Sequence, residues 1–431
     1  MTWLQRYRVR HYFAHSIWIF PVLATVAAVG AVRVLHLIER DLGWVSPVDA
    51  DTARAVMGTM ASALFTSIVF VCTALLVAVQ LASAALTPRI IGLVFRDPVT
   101  KFSLTLLVFT FTFSLSALIR IKATVPLITA HVAGYANLIC LAVFLYLIDH
   151  LGKALRPSGT LRGVARVGRR VIESVYPRRI SESKSAFLAA ADVLGGAPTR
   201  TIMNVVDGAV LAFDIRGLVA LAERADCVIE LVPQVGDFIA HGDPLFRIYQ
   251  GGEKLSAEAL CQSVAVGQER TPEQDPAFAF RIIVDIASKG LSPAVNDPTT
   301  AVLAIDQIHH LLRNVGCRRL DDERVRDASG RLRLAYRTPD WEDFVELAVT
   351  EIRQFGGASI QIARRLRAML ENLIQTLPEE RAARLRVELE KLPRSAKRFF
   401  PEPGDLALAD IGDLQGMGGN RRGQMNSPAC S

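Results

Sequence analysis

Apolar residues follow two regimes along this chain. In the first third they run almost without interruption; beyond it they recur at helical or alternating spacing between polar positions. Four uninterrupted stretches lie near Ile17–Ile38, Gly58–Leu86, Phe102–Ile121 and Val125–Ile148. Each reaches the roughly 20 residues needed to cross about 30 Å of hydrocarbon, which predicts four transmembrane helices within residues 1–152. Trp3, Tyr7, Tyr12, Trp18 and Trp44 cluster near the ends of the first stretch, as interfacial aromatics do. A second span follows closely, so the first reads as a span rather than a cleaved leader.

The second stretch carries the most information. At about 1.5 Å per residue its length amounts to about 43 Å, so it is expected to tilt or to project beyond the bilayer. Thr59, Thr66, Thr73, Gln80 and Thr87 recur every seven residues, with Ser62 beside them. Seven residues are nearly two turns, so these positions form one slowly drifting polar stripe. Its first reading is a helix-packing face, because small hydroxylated residues let backbones approach and share hydrogen bonds. Its second reading is the lining of a pore. His131 and Asn137 on the fourth stretch are expected to bond neighbouring helices.

Residues 153–185 form a basic juxtamembrane segment. Arg162, Arg166 and Arg170 alternate there with Leu161, Val164, Val167, Val171 and Val175, the two-faced pattern of a helix lying along an interface. The strand-like runs Ala209–Phe213 and Val228–Val232 flank a helix over Arg216–Ala225, giving a small β-module over 186–250. Its Gly236-Asp237 and Gly242-Asp243 pairs predict tight turns, and Gly236–Leu245 resembles the hammerhead half of a biotinyl- or lipoyl-type barrel. No lysine-bearing attachment turn accompanies it, so no cofactor is expected. Residues 251–392 read as a mainly helical cytoplasmic domain with a short strand over Arg331–Arg337, and 393–431 as a disordered tail. The fold class is therefore a four-helix membrane part joined to an α+β cytoplasmic domain with a small barrel-like module.

Charge refines this division. Residues 1–184 hold 20 Lys/Arg against 8 Asp/Glu, whereas 185–431 hold 29 against 34. The positive charge thus surrounds the spans, where anionic lipid headgroups are the natural partner. The mildly acidic soluble part argues against nucleic acid. Arg6, Arg8 and Arg10, then Arg89, Arg96 and Lys101, then nine basic residues between Lys153 and Lys184 all fall on the same side of the four spans. That distribution orients both termini toward the cytoplasm. Arg120 and Lys122, on the opposite side, are the exception. The six cysteines are scattered, with no CxxC pair, and support neither a disulfide framework nor a zinc site.

Four segments carry a resemblance to a known family: Ala85–Pro98 (ALTPRIIGLVFRDP), Val235–Leu245 (VGDFIAHGDPL), Arg270–Phe278 (RTPEQDPAF) and Leu291–Ala301 (LSPAVNDPTTA). In that order, over most of residues 1–375, the chain resembles the predicted bacterial membrane proteins catalogued as domain of unknown function 2254. Ala294 stands where that family usually has Gly. The resemblance implies an inner-membrane location and a cytoplasmic domain, and no reaction.

The turn over Ser292–Asp297 is the leading candidate site. Asp297 followed by Pro298 marks a helix start, and free N–H groups there could hold an anion. Arg270, Gln274 and Asp275 would converge on Ser292, Asn296 and Asp297 if the two turns faced each other. The competing reading is that Asp297, buried where the domain packs on itself, only caps its helix. Asp306, His309 and His310 could suggest a metal, but adjacent histidines diverge on a helix and a solvated face is expected. Ser292 lacks a nucleophile-elbow context. No catalytic motif stands out, and a non-enzymatic, membrane-anchored sensor or regulatory module is expected. The alternative is an oligomeric channel gated by the cytoplasmic part, with copies of this chain as partners.

Overall fold

A computed structural model describes residues 1–418 except 43, 45, 95, 122–124, 155, 181–195 and 321–323. The expected start of the β-module, Lys122 and the last part of the expected tail lie outside the described residues. The chain forms two compact units, Arg10–Gly159 and Met1–Val9 with Thr160 onward.

The helix α1 (Trp3–His15) opens the chain. The first unit then contains α2 (Ile19–Leu42), α3 (Ala50–Ala85), a 3₁₀ turn at Pro88–Ile90, α4 (Ile91–Val94), α5 (Pro98–Leu118) and α6 (Leu127–Ala154). Helices α2, α3, α5 and α6 are long and apolar enough to cross a membrane, and α5 is the most enclosed of them. Asp49 caps α3 by accepting from Asp51 and Thr52, and Asp97 caps α5 by accepting from Thr100. Small residues let the helices meet closely: Ala28 and Val32 of α2 and Ala53 and Met57 of α3 share one cluster with Phe113 and Ala117 of α5. A second cluster joins Leu64, Val71 and Leu75 to Leu104, Leu107, Cys140 and Leu147.

Small hydroxylated residues that are buried in this bundle lie on α5 and not on the α3 stripe. Ser103, Thr110 and Ser114 are all buried. The Asn137 amide donates to Ser114 Oγ (3.3 Å) and the Cys140 thiol to Thr110 Oγ1 (3.2 Å). Asn137 thus bonds a neighbouring helix as expected, while the exposed His131 ring meets only its own helix at Leu127 O. Thr59, Thr66, Thr73 and Gln80 are exposed. The three threonines satisfy their hydroxyls on carbonyls of their own helix, those of Ala55, Ser62 and Val69. Only Thr87, beyond the end of α3, is buried. The expected packing stripe therefore does not pack within its own subunit; it faces outward. Glu39, near the end of α2, is also buried, and its carboxylate accepts from Thr129 N and Oγ1 at 2.9 and 2.6 Å.

The second unit contains α7 (Pro157–Val175), β1 (Arg200–Met203), β2 (Gly208–Phe213), α8 (Ile215–Arg224), β3 (Val228–Leu231), β4 (Phe238–Ile239), β5 (Pro244–Tyr249), α9 (Ala257–Cys261) and β6 (Val264–Gly267). It continues through α10 (Pro276–Gly290), α11 (Pro298–Gly316), β7 (Arg324–Arg326), β8 (Leu332–Ala335), α12 (Trp341–Phe355), α13 (Ile360–Thr376), α14 (Glu379–Ala396) and α15 (Pro403–Ala409).

Two sheets form, ordered β1-β5-β3-β8-β7 and β4-β2-β6. All pairs are antiparallel except β3 with β8. Neither closes into a barrel among the described residues, so the barrel-like expectation is not met. Strands β6, β7 and β8 come from beyond residue 250 and join the same sheets, which a module bounded at 250 could not include. Gly236 and Gly242 have φ of +96° and +89°, and Asp237 and Asp243 accept back from Gln234 N and Ala240 N. These are the two expected Gly-Asp turns, with glycine where φ must be positive.

Helix α7 departs from its expected place along the interface. Leu161, Val164, Ala165, Gly168, Val171 and Ile172 are buried. Gly168 lies so close that a β-carbon there would come within 2.6 Å of Ala279 Cβ of α10. The apolar face that looked suited to lipid is filled by the unit's own core. Trp3, Leu4 and Tyr7 likewise pack on Ala209, Leu211 and Ala265 of β2 and β6, so Trp3 and Tyr7 are not the lipid-facing aromatics the pattern suggested. The expected disordered tail is also corrected over 393–418, where α14 ends, α15 follows and Phe400, Ala409 and Asp413 are buried.

Candidate functional site

Two Asp-Pro turns begin α10 and α11. Asp275 accepts from Phe278 N at 3.0 Å and Asp297 from Thr300 N at 3.0 Å, with proline at the first helical position in both. Each turn is therefore a helix N-cap. They do not converge. Helix α10 runs the whole way between them, and its residues at about 1.5 Å each hold the two turns about 20 Å apart. The six candidate residues form two separate groups.

The group at α11 is locally satisfied. Ser292 donates its hydroxyl to Lys289 O at 2.7 Å, Thr300 donates its hydroxyl to Asp297 Oδ2 at 2.5 Å, and Asn296 takes a left-handed φ of +46°. Asparagine tolerates that conformation better than most residues. Asn296 is exposed and Asp297 half-buried, so Asp297 is less enclosed than expected.

The group at α10 is tied into the fold. Asp275 is 1% exposed, and the Arg270 guanidinium donates to its Oδ2 through Nε (3.1 Å) and an η-nitrogen (2.6 Å). Burial pushes the Asp275 carboxyl up from the usual carboxylate range, against the pull of Arg270. Gln274 clips the end of β2, accepting from Phe213 N at 3.0 Å and donating to Phe213 O at 3.2 Å. Gly236 completes the group, since a β-carbon there would lie 2.1 Å from an Arg270 η-nitrogen and 2.6 Å from Asp275 Oδ2. Sequence reasoning assigned Gly236 to a turn alone. Its second role, making room for the ion pair, joins segments that are far apart in sequence.

Beside Gln274 lies a cleft of about 100 Å³, walled by Ser174 and Val175 at the end of α7, Phe213, Pro276, Tyr336 and Thr338 among others. Its lining mixes hydroxyls, the amides of Gln234 and Gln274, Arg337 and aromatic rings, which suits a small polar ligand with an apolar part. The histidine pair divides. His309 is half-buried between α11 and α13, with Nε2 2.9 Å from Asn372 Oδ1, whereas His310 is exposed. Burial, reinforced by Arg365, lowers the His309 pKa to about 4. The neutral ring can donate from Nε2 to Asn372, so His309 serves a packed polar network and not the expected solvated face.

Four apolar helices of spanning length and a separate α+β unit define a multi-pass membrane protein with a large extramembrane part. The chain belongs to the predicted membrane protein family DUF2254, which it matches over residues 14–372. It is 22% identical over 426 residues to an uncharacterized protein of Mycobacterium bovis, covering 94% of this chain and 80% of that protein. An uncharacterized protein of Mycobacterium tuberculosis matches to the same extent. No solved structure matches.

Proposed function

We propose that this protein is a membrane-anchored regulatory module of the bacterial inner membrane, whose extramembrane unit lies in the cytoplasm and binds a small ligand in the cleft beside Gln274. One observation carries the reading: the helix that walls the cleft with Ser174 and Val175 is α7, which begins at Pro157, just after the last apolar helix ends at Ala154. A ligand there would touch the element through which the chain leaves the membrane. Differential affinity for two positions of α7 would then couple occupancy to the anchor. The orientation is supported by the Lys/Arg distribution, and reporter fusions after residue 156 and near Val48 test it: the first should work only with a cytoplasmic reporter. The ligand reading is tested by thermal-shift screening of the detergent-purified chain against small polar metabolites. Compounds that raise the melting temperature of the wild type should lose that effect in Ser174→Trp, which fills the cleft. Hits that stabilise both proteins equally would argue against this cleft.

A second reading, an oligomeric channel gated by the cytoplasmic unit, is favoured by the exposed Thr59, Thr66, Thr73 and Gln80. Polar groups facing lipid gain little there and gain more against another helix. Cysteines at Thr66 and Thr73 should cross-link between copies if α3 faces α3. Liposome flux that vanishes in a folded Thr73→Leu/Gln80→Leu variant would favour the channel; absence of flux in the wild type would favour the anchor.

A further inference from the structure

We infer that the cleft beside Gln274 selects a small carboxylic acid with a short branched apolar tail, an assignment that rests on the reading of this cleft as a ligand site. Among the described residues that line it, Arg337 is the one charged side chain, and no carboxylate stands with it.

The polar groups around the cleft divide into engaged and unengaged ones. Gln274 commits both ends of its amide to Phe213 N and O. Tyr176, buried beside Val175, donates its hydroxyl to Pro339 O at 2.9 Å, which ties the end of α7 to the segment that follows β8. The rings of Phe213 and Tyr336 meet edge to face, with centroids 5.0 Å apart. These contacts fix the walls. Ser174, Gln234 and Arg337 stand on those walls, and their side chains have no hydrogen-bond or ion-pair partner among the described residues. Ser174 and Arg337 are exposed and Gln234 half-buried, so an incoming group reaches all three from solvent.

The acids next to the lining are engaged elsewhere. Glu173 lies 3.8 Å from Arg169 and 3.7 Å from Arg318, Asp275 is held by Arg270, and Asp214 accepts from Gly217 N at 3.0 Å. Arg337 is thus left without a counter-charge. Its guanidinium fork matches a carboxylate, and the Gln234 amide and Ser174 hydroxyl add neutral donors. One cation matches one negative charge. An ammonium would find no carboxylate and would meet a like charge instead. The tail is set by the apolar lining, to which Val175, Ile215, Val235 and Pro276 contribute. An apolar cavity of about 150 Å³ takes benzene, so a cleft of about 100 Å³ takes a smaller group such as isobutyl.

The test is calorimetric titration of the detergent-purified full chain with sodium isovalerate at about pH 7.5, where a carboxylic acid is ionised. Isopentyl alcohol and isopentylamine, which share its carbon skeleton, serve as comparisons. Saturable binding is expected for isovalerate, at least tenfold weaker for the alcohol and absent for the amine. Arg337→Gln should weaken isovalerate at least tenfold while keeping the wild-type melting temperature, because the side chain it replaces is exposed and unpaired. Arg337→Lys, which keeps the charge and loses the fork, should fall between, and Ser174→Trp should abolish binding. Alcohol or amine binding as tight as that of isovalerate, and lost in Ser174→Trp, would keep the cleft as a ligand site and overturn the acid. Isovalerate binding undiminished in Arg337→Gln or in Ser174→Trp would overturn it too. So would the absence of saturable heat with isovalerate, even where other compounds stabilise the wild type and not Ser174→Trp.

Discussion

The turns that open α10 and α11 present the same residues to very different surroundings. Both read Asp-Pro, both place proline first in the helix, and both aspartates accept the same backbone N–H three residues on. Yet Asp275 is buried and gripped by Arg270, while Asp297 is half-buried and its carboxylate accepts from Thr300 of its own first turn. A sequence pattern dictates the local bond; tertiary packing dictates how much that bond matters.

The largest expected effect follows from this inequality. Asp275→Ala removes a cap, worth about 0.5–2 kcal/mol, and also two charge-assisted bonds to Arg270, each kind worth about 1.5–3 kcal/mol. Because Arg270 is 39% exposed on its side chain, it can turn to water, so the total should settle near 3 kcal/mol. Thermal melts of the full chain in detergent check it. Asp275→Asn keeps the cap and weakens the pair, and should recover less than half. If Asp275→Ala melted like the wild type, burial would not separate the two turns.

A comparable contrast holds for His309 and His310. The folded His309 imidazole has its pKa depressed to about 4, against about 6.5 in an unfolded chain. Above pH 6.5 the ring is neutral in both states and its contribution is fully present. As pH falls from 6.5 toward 4, the unfolded chain takes up a proton that the folded chain refuses, so stability is lost. At about 1.4 kcal/mol per unit the loss approaches 3 kcal/mol. Melting temperatures measured between pH 7 and 4.5 should fall less steeply in His309→Gln, and His310→Gln should keep the wild-type slope.

Asp297→Ala is expected to cost only the cap, about 0.5–2 kcal/mol. Asp297→Asn and Asp297→Ser should restore most of it, since either side chain can accept from Thr300 N. Equal melting temperatures for the alanine variant and the wild type would remove the capping account and return Asp297 to the list of functional acids.

What was legible in the sequence sorts by range. Local rules sufficed for the spanning helices, the Gly-Asp turns, the strands over Gly208–Phe213 and Val228–Leu231 and both Asp-Pro caps, because each depends on residues within a few positions. The candidate site was misjudged because Arg270 and Asp297 stand at opposite ends of α10, and no local pattern reports which turns face each other. The outward stripe of α3 and the buried polar residues of α5 carry similar small hydroxylated side chains; only the bundle decides which helix turns its stripe inward. Helix α7 was misread for the same reason, since an apolar face suits a bilayer and a protein core alike.

The two glycines of α7 offer the finest test of that last point. Gly163 has nothing within 4 Å of where a β-carbon would stand, whereas at Gly168 the β-carbon would meet Ala279 Cβ at 2.6 Å and Leu311 at 3.5 Å. Alanine in a helix is favoured over glycine by about 1 kcal/mol. Gly163→Ala should therefore raise stability by up to about that amount. Gly168→Ala gains the same propensity but forces α7 away from α10, because neither methyl group has a torsion with which to yield. Overpacking of this kind costs about 1–3 kcal/mol, so the net change should be a loss of about 1 kcal/mol. The two variants should thus move the melting temperature in opposite directions. Were α7 to lie along the membrane interface with its apolar face in lipid, fluid acyl chains would give way at both positions. Gly168→Ala would then stabilise as Gly163→Ala does, and the assignment of α7 to the core of the second unit would fail.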